Sequence, residues 1–354
     1  MNKYNSMQIN VDDNCFDYMR IICAITIFLG HFITHFDYQS VLLNNIAYFI
    51  RGVPVFFCLS GFFCTRSIEK YGRKEFLKKR FFRLYPALWV CIIINTIIIV
   101  FTYSVSPSIK DGIVYGVTQL TFFQFYTGDW LRGYGVGAPN GALWTISTEI
   151  QFYLVLIIFA FAMKKWSIKV WTAIIALTAM VSWVFGQYEN LFPEIVNKCM
   201  RVSVVPFLYI FLFGMMCYEH RETLIPIFLY IRIPALLVYL VWNFLPENFK
   251  SFAGGVRYNI ITTLLLMICV ISFGFSFGKH RVKREWSYHF YLYHMVVINF
   301  FVQMVTNKVG TITELIILLL ATFLITLVFM WFSGSVVDGK LSVIFHHSQV
   351  DNKR

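Results

Sequence analysis

Acidic side chains are scarce in this chain of 354 residues: 18 Asp and Glu stand against 30 Lys and Arg, and the four types together make up only 14% of it. A water-soluble domain of this length needs more polar cover than that. The chain also lacks a polar stretch long enough for a second domain, an internal repeat and a low-complexity tract. One domain, 1–354, is therefore expected. None of the eight cysteines forms a C-x-x-C pair, and Cys23, Cys58, Cys91, Cys217 and Cys269 sit inside apolar runs. Neither a metal site nor a disulfide framework is expected from them. A cleavable signal peptide is not expected either, because Asp12, Asp13 and Asp17 precede the first apolar run and no small-x-small site follows it.

What the chain has in abundance is apolar surface: 58% of its residues are hydrophobic and its mean hydropathy is +0.66. A membrane-spanning helix needs roughly 20 mostly apolar residues. Such runs fall near 16–36, 43–64, 84–103, 142–163, 168–187, 202–218, 224–244, 257–277, 287–306 and 311–333. The expected fold is an all-α polytopic membrane protein with about ten transmembrane helices over 16–333. The seventh run carries Pro226, Arg232 and Pro234, which favours a break or a later start. The aromatic-rich segment 112–130 reads as re-entrant or interfacial.

The formal net charge of +12 would suit nucleic acid only on a soluble surface. Here the charge lies in short loops between apolar runs, which reads as topology and contact with anionic headgroups; nucleic acid is not an expected partner. The segment between runs two and three holds Arg66, Lys70, Arg73, Lys74, Lys78, Lys79, Arg80 and Arg83. With Lys164, Lys165, Lys169, Lys279, Arg281, Lys283, Arg284, Lys3, Arg221, Lys340, Lys353 and Arg354, twenty basic residues fall on one side. Seven fall on the other: Lys110, Arg132, Lys198, Arg201, Lys250, Arg257 and Lys308. The bias places both termini in the cytoplasm. The largest outward loop is 104–141, glycine-rich near its end, and it is the expected meeting place for an extracytoplasmic substrate.

Polar residues inside apolar runs are costly in lipid and mark cavities or sites. Arg20 and His31 lie eleven residues apart, roughly three turns plus 20°, so they project from nearly one face about 16 Å apart along the axis. Asp17 is within ion-pair reach of Arg20. His31 suits a general base, or else a structural hydrogen bond between helices. His35 is nearer the edge of the run. In the second run, Gly52 and Gly61 permit close helix approach and Ser60 can bond across helices. Arg80 and Arg83 share a helix face at the membrane edge; their guanidinium forks suit phosphates, and a lipid-headgroup anchor is the plainer reading. Glu149 is embedded in an apolar run, placed to orient a histidine or to pair with an arginine. Trp286 and the tyrosines near it read as an interfacial belt, with His294 deeper.

Five segments in order carry a resemblance: Asp17-x-x-Arg20 followed by His31; Gly52 to Phe62 (GVPVFFCLSGF); Arg80-x-x-Arg83-x-Tyr85-Pro86; Trp144 to Tyr153 (WTISTEIQFY); and Ser287 to His294 (SYHFYLYH). Together they resemble the acyltransferase 3 family of bacterial membrane acyltransferases over nearly the whole chain. The resemblance implies a ten-helix membrane domain that uses cytoplasmic acyl-CoA to acylate extracytoplasmic or lipid-linked sugars. It implies catalytic roles for His31, Arg20 and Glu149. It implies donor contacts by Arg80 and Arg83, with Lys79 and Tyr85 beside them, and acceptor contacts by Asp17, Ser60, Trp144 and His294. The expected reaction is transfer of acetyl from acetyl-CoA, without a metal, to a sugar hydroxyl of a surface polysaccharide such as the O-antigen of lipopolysaccharide, in the bacterial inner membrane. Direct attack and an acyl-histidine intermediate both remain compatible. The rivals are a succinyl- or other acyltransferase acting on exopolysaccharide, and a transporter, whose two-fold hydropathy symmetry is not seen here.

Overall fold

A computed structural model describes residues 9–36, 43, 45, 49–163, 165–280, 282, 285–305 and 310–351. Of the basic residues used to orient the chain, Lys3, Lys164, Arg281, Lys283, Arg284, Lys308, Lys353 and Arg354 lie outside the described residues. Regular structure is helical: α1 Phe16–His35, α2 Gly52–Thr102, α3 Ile109–Leu120, α4 Trp144–Met163, α5 Ile168–Gln187, α6 Glu194–Met200, α7 Leu208–Glu219, α8 Arg221–Phe244, α9 Ile260–Gly274, α10 Trp286–Met304 and α11 Ile312–Asp351. Among the described residues there is no strand, only an isolated antiparallel bridge between Gly254 and Asn259.

Ten spans were expected. Five helices are long and apolar enough to cross a membrane: Phe16–His35, Gly52–Thr102, Ile168–Gln187, Arg221–Phe244 and Ile312–Val337. A sixth forms if Glu194–Met200 and Val205–Glu219, bent by 48°, count as one span. Each difference has a physical reason. The second run from Gly52 onward and the third run belong to one 51-residue helical element, where a basic loop was expected between them, and residues 44 and 46–48 of the second run lie outside the described residues; the chain stays helical through the basic residues and breaks only at Gly72, whose φ of 75° is left-handed. The fourth run is α4, an apolar helix of 20 residues, and the eighth is a short apolar helix, Ile260–Gly274. The sixth is the bent pair, and the ninth, α10, carries too many polar groups to qualify. The expected break in the seventh run does not occur: Pro226 and Pro234 both lie inside the continuous α8.

The chain divides into two compact units. The first gathers Met1–Cys23, Phe49–Leu77 and Ser147–Arg281. Its tightest seam is between α2 and α7. A Cβ on Gly61 would sit 2.1 Å from the Phe211 carbonyl oxygen, and one on Gly214 would sit 2.0 Å from that of Cys58. Two glycines facing each other's backbone let the helices approach as larger residues would not. The start of α1 is pinned in the same unit. Asn14 Oδ1 accepts the Phe16 N–H at 3.1 Å, and the fully buried Phe16 ring fills the space a side chain on Gly274 would need.

The second unit gathers Ala24–Tyr48, Lys78–Ile146 and Val282–Arg354. Here α10 and α11 pack along their lengths, with Phe290 against Phe323 and Tyr293 stacked on Phe329. Phe28 of α1 joins Phe290 and Phe323. Within the segment 112–130, α3 runs to Leu120 and is followed by turns and the start of a short 3-10 helix, Asp129–Leu131.

Candidate active site

In the first unit the residues singled out from the sequence form two polar clusters. The α1 cluster is an ion pair one helical turn long, Arg20 Nη1 to Asp17 Oδ1 at 3.1 Å, with the guanidinium also lying 4.8 Å over the Phe63 ring. The Arg20 side chain is only 13% exposed, so its charge is held in protein by the carboxylate and the ring face. The second cluster joins α2 to α4. Ser60 donates to Glu149 Oε1 at 3.2 Å, and Tyr153, one turn beyond Glu149, donates to the same oxygen at 2.5 Å. Glu149 was expected to meet a histidine or an arginine. Its hydrogen-bond partners among the described residues are instead these two hydroxyls, which stabilise a carboxylate without neutralising it. Behind it Gln151 fixes the bend after α6, accepting from the Val204 N–H at 2.9 Å and donating to the Val202 carbonyl at 3.1 Å.

The second unit holds a histidine cluster. The His31 ring stacks on His35, centroids 5.7 Å apart and planes 4° from parallel. It also lies 5.4 Å from the His294 ring, at 37°. His294 is fully buried and its orientation is fixed from below: Nδ1 lies 2.6 Å from the Tyr291 carbonyl oxygen. A carbonyl only accepts, so Nδ1 carries the proton and Nε2 presents a lone pair. That Nε2 is buried with no hydrogen-bond partner among the described residues, an uncommon condition for a buried polar atom. Tyr291 is anchored in turn, donating to the Ala142 carbonyl at 2.7 Å, with Thr145 Oγ1 at 2.8 Å from its hydroxyl.

The donor-side expectations also fall in the second unit. Arg83 pairs with Glu285 at 3.0 Å. Tyr85 stacks on Phe81, centroids 4.7 Å apart, and leans on Trp89, making an aromatic ladder on the part of α2 that bears Lys79 and Arg80. Trp144 opens α4. The described contacts thus join Asp17 to Arg20, Ser60 to Glu149, and His31 to His294. They assign Arg20, Ser60 and Glu149 to one unit and His31, His294, Arg80, Arg83 and Trp144 to the other.

Sequence reasoning missed the groups that hold these side chains. Tyr153 sits four residues after Glu149, and that helical spacing was the available signal. Asn299 and Gln303, amides one turn apart in the apolar α10, were also overlooked. Asn299 donates to the Ala138 and Pro139 carbonyls at 3.0 Å each and accepts from the Val136 N–H at 3.0 Å. Gln303 accepts from the Gly135 N–H at 2.9 Å. Asn95 Nδ2 reaches the Pro139 carbonyl at 2.9 Å, and Asn140 Nδ2 reaches the Leu292 carbonyl at 2.9 Å. The glycine-rich end of the 104–141 loop is thereby fastened to α2 and α10.

The family model for an acyltransferase domain matches residues 13–331. This chain belongs to the acyltransferase 3 family. It is a membrane acyltransferase of that family, with five or six helices long and apolar enough to cross a membrane among the described residues. Among curated relatives, nodulation protein 10 of Rhizobium leguminosarum bv. viciae is 26% identical over 306 residues, 81% of this chain and 83% of that protein. Peptidoglycan O-acetyltransferase OatA of Listeria monocytogenes serovar 1/2a is 28% identical over 125 residues, 32% of this chain and 20% of that protein. No solved structure matches the chain.

Proposed function

We propose that this acyltransferase moves an acetyl group from acetyl-CoA, bound at the cytoplasmic face of a bacterial inner membrane, to a sugar hydroxyl of a surface polysaccharide or its lipid-linked precursor. The O-antigen of lipopolysaccharide is the acceptor we favour. The observation that carries the reading is the pair His31–His294, in which the half-buried His31 ring lies 5.4 Å from a fully buried imidazole whose Nε2 has no hydrogen-bond partner among the described residues.

In this reading His31 takes the proton of the sugar hydroxyl as its oxygen attacks the thioester carbonyl. The C–S bond breaks, and the protonated His31 returns the proton to the departing thiolate. His294 holds the His31 ring in place. Arg20 offsets the negative charge that develops on the carbonyl oxygen, the usual large electrostatic contribution. Glu149, which accepts from the Ser60 and Tyr153 hydroxyls, balances the cationic groups. Arg80, Arg83 and Lys79 receive the donor's phosphates, with Tyr85 beside them; Asp17, Ser60 and Trp144 contact the acceptor. Both termini face the cytoplasm, following the basic bias of the chain. The name of the Listeria relative supports O-acetyl transfer to a cell-surface sugar polymer.

Mass spectrometry of surface polysaccharide from cells with and without this gene tests the reading. Loss of one acetyl mass per repeating unit in the deletion strain is expected. An unchanged polysaccharide would overturn the acceptor assignment, and a lost succinyl group would replace the donor.

A further inference from the structure

The end of α2, the connection 103–108, the start of α3 and the turn Asp129–Leu131 enclose a cavity of about 230 Å³ in the second unit. Three rings, Tyr103, Tyr115 and Trp130, form much of its wall, and Thr96 and Ser106 add hydroxyls. The rings are held from behind. Tyr115 Oη lies 3.0 Å from Thr96 Oγ1, and Trp130 meets Tyr115 edge-on at 5.8 Å. Tyr103 packs edge-on against Tyr134, which with Ile99 and Leu131 makes a small core beneath the cavity.

The lining contains no carboxylate, amine or guanidinium. Burial pushes the Tyr115 hydroxyl up to about 12, so that group is neutral near pH 7. A phosphate or a CoA moiety would find no counter-charge here. The volume lies below the roughly 300–1,000 Å³ of sites for drug-sized ligands, which leaves room for one ring. Apolar and aromatic walls with a few placed hydroxyls suit a ligand with apolar faces and a polar rim. A hydrocarbon tail would leave the wall hydroxyls facing apolar matter, which is unfavourable.

The other side of α3 bears Ile109, Ile113, Val117 and Leu120, of which Ile109 is 87% and Ile113 63% exposed. This stripe recurs at helical spacing and suits a helix lying in the membrane interface. The cavity side of the same helix would then sit at headgroup depth, where a lipid-linked or membrane-anchored sugar chain passes.

We propose that this cavity is an acceptor subsite that takes a single uncharged hexopyranose ring of the polysaccharide, stacked against the Tyr103, Tyr115 and Trp130 rings. The proposal deepens the O-acetyltransferase reading by naming where and in what charge state the acceptor is held.

Gly112 supplies the test. It lines the cavity, and a Cβ there would meet only Pro107 Cγ, at an ordinary 3.9 Å. Gly112→Leu therefore fills the space without moving backbone, and it favours the helix. Gly116, one turn on, is outside the lining and a Cβ there meets nothing within 4 Å, so Gly116→Leu is the control. Purified protein in lipid nanodiscs is titrated with methyl glycosides of glucose, galactose, rhamnose and N-acetylglucosamine, followed by saturation-transfer NMR. At least one glycoside should bind the native protein and the Gly116→Leu variant alike, and bind Gly112→Leu at least about tenfold more weakly, a change of roughly 1.4 kcal/mol. Equal binding to all three proteins, or no binding to any, overturns the subsite. Displacement of the glycoside by an isoprenoid alcohol but not by a second glycoside also overturns it, in favour of a tail slot. Because binding is read without turnover, a deletion strain with unchanged polysaccharide would sink the transferase reading while leaving this result intact.

Discussion

Helices α10 and α11 lie side by side and teach opposite lessons about hydropathy. α11 has the highest hydropathy of the candidate spans and is the most exposed along with α5. Leu320, Leu324, Val328 and Trp331 face outward and find no protein to cover them. α10 does not qualify as a span at all, yet every residue from His289 to Asn299 is buried. Its polar groups each have work inside the protein: His289 with Ser333, His294 with the Tyr291 carbonyl and the His31 ring, Asn299 with the 136–139 backbone. Lipid asks a helix for apolar side chains, whereas a buried helix can carry polar ones if they are bonded. In α10, then, bonded polar groups collect on a helix that hydropathy undervalues.

Substitutions can break or sharpen that contrast. The largest effect is expected for His31→Ala, which should abolish polysaccharide acetylation while membrane levels, read by immunoblot, stay near native. His294→Ala should lower the rate by about 10²-fold, the cost of a misplaced catalytic group, measured as CoA release by purified protein. A near-native rate would reduce His294 to a packing residue. Gly61→Leu comes next: with a backbone oxygen where its Cβ must go, it should lower the amount of folded protein several-fold, seen by fluorescence-detected size exclusion. Ser333→Ala removes the hydroxyl that lies 3.0 Å from the buried His289 Nδ1 and should cost about 0.5–1.5 kcal/mol of stability, visible as an earlier thermal transition in detergent with activity retained. Val328→Ala, on the exposed face of α11, should change stability by less than about 0.5 kcal/mol. If Val328→Ala proved as harmful as Ser333→Ala, the contrast between the two helices would be wrong.

Much of the helical layout was legible because apolar runs and their flanking charges follow directly from what lipid tolerates. The limits of that reading are also physical. Windows of apolar residues locate Phe16–His35 and Ile168–Gln187 to within a residue or two, but they count α9 as a full span although it is short. Charge marks 66–83 as an aqueous loop, yet Lys and Arg are good helix formers, and the chain stays helical there except at Gly72. Within the site, local pairs were legible: Asp17 with Arg20 follows from helical spacing alone. Partners distant in sequence were not, and so the Ser60 hydroxyl on Glu149 and the ring of His294 beside His31 had to be seen in three dimensions. The family resemblance placed all of these residues in a site but did not say which touch.

The amide clamp on residues 135–139 has one more consequence. A segment with three glycines and a proline within seven residues, Gly133 to Pro139, ordinarily reads as a swinging flap. Here the Gly135 and Val136 N–H groups and the Ala138 and Pro139 carbonyls are bonded to Asn95, Asn299 and Gln303. The glycines serve close approach rather than mobility, and the amides of Gly135 and Val136 should be among the slowest in the connecting segments to exchange with deuterium.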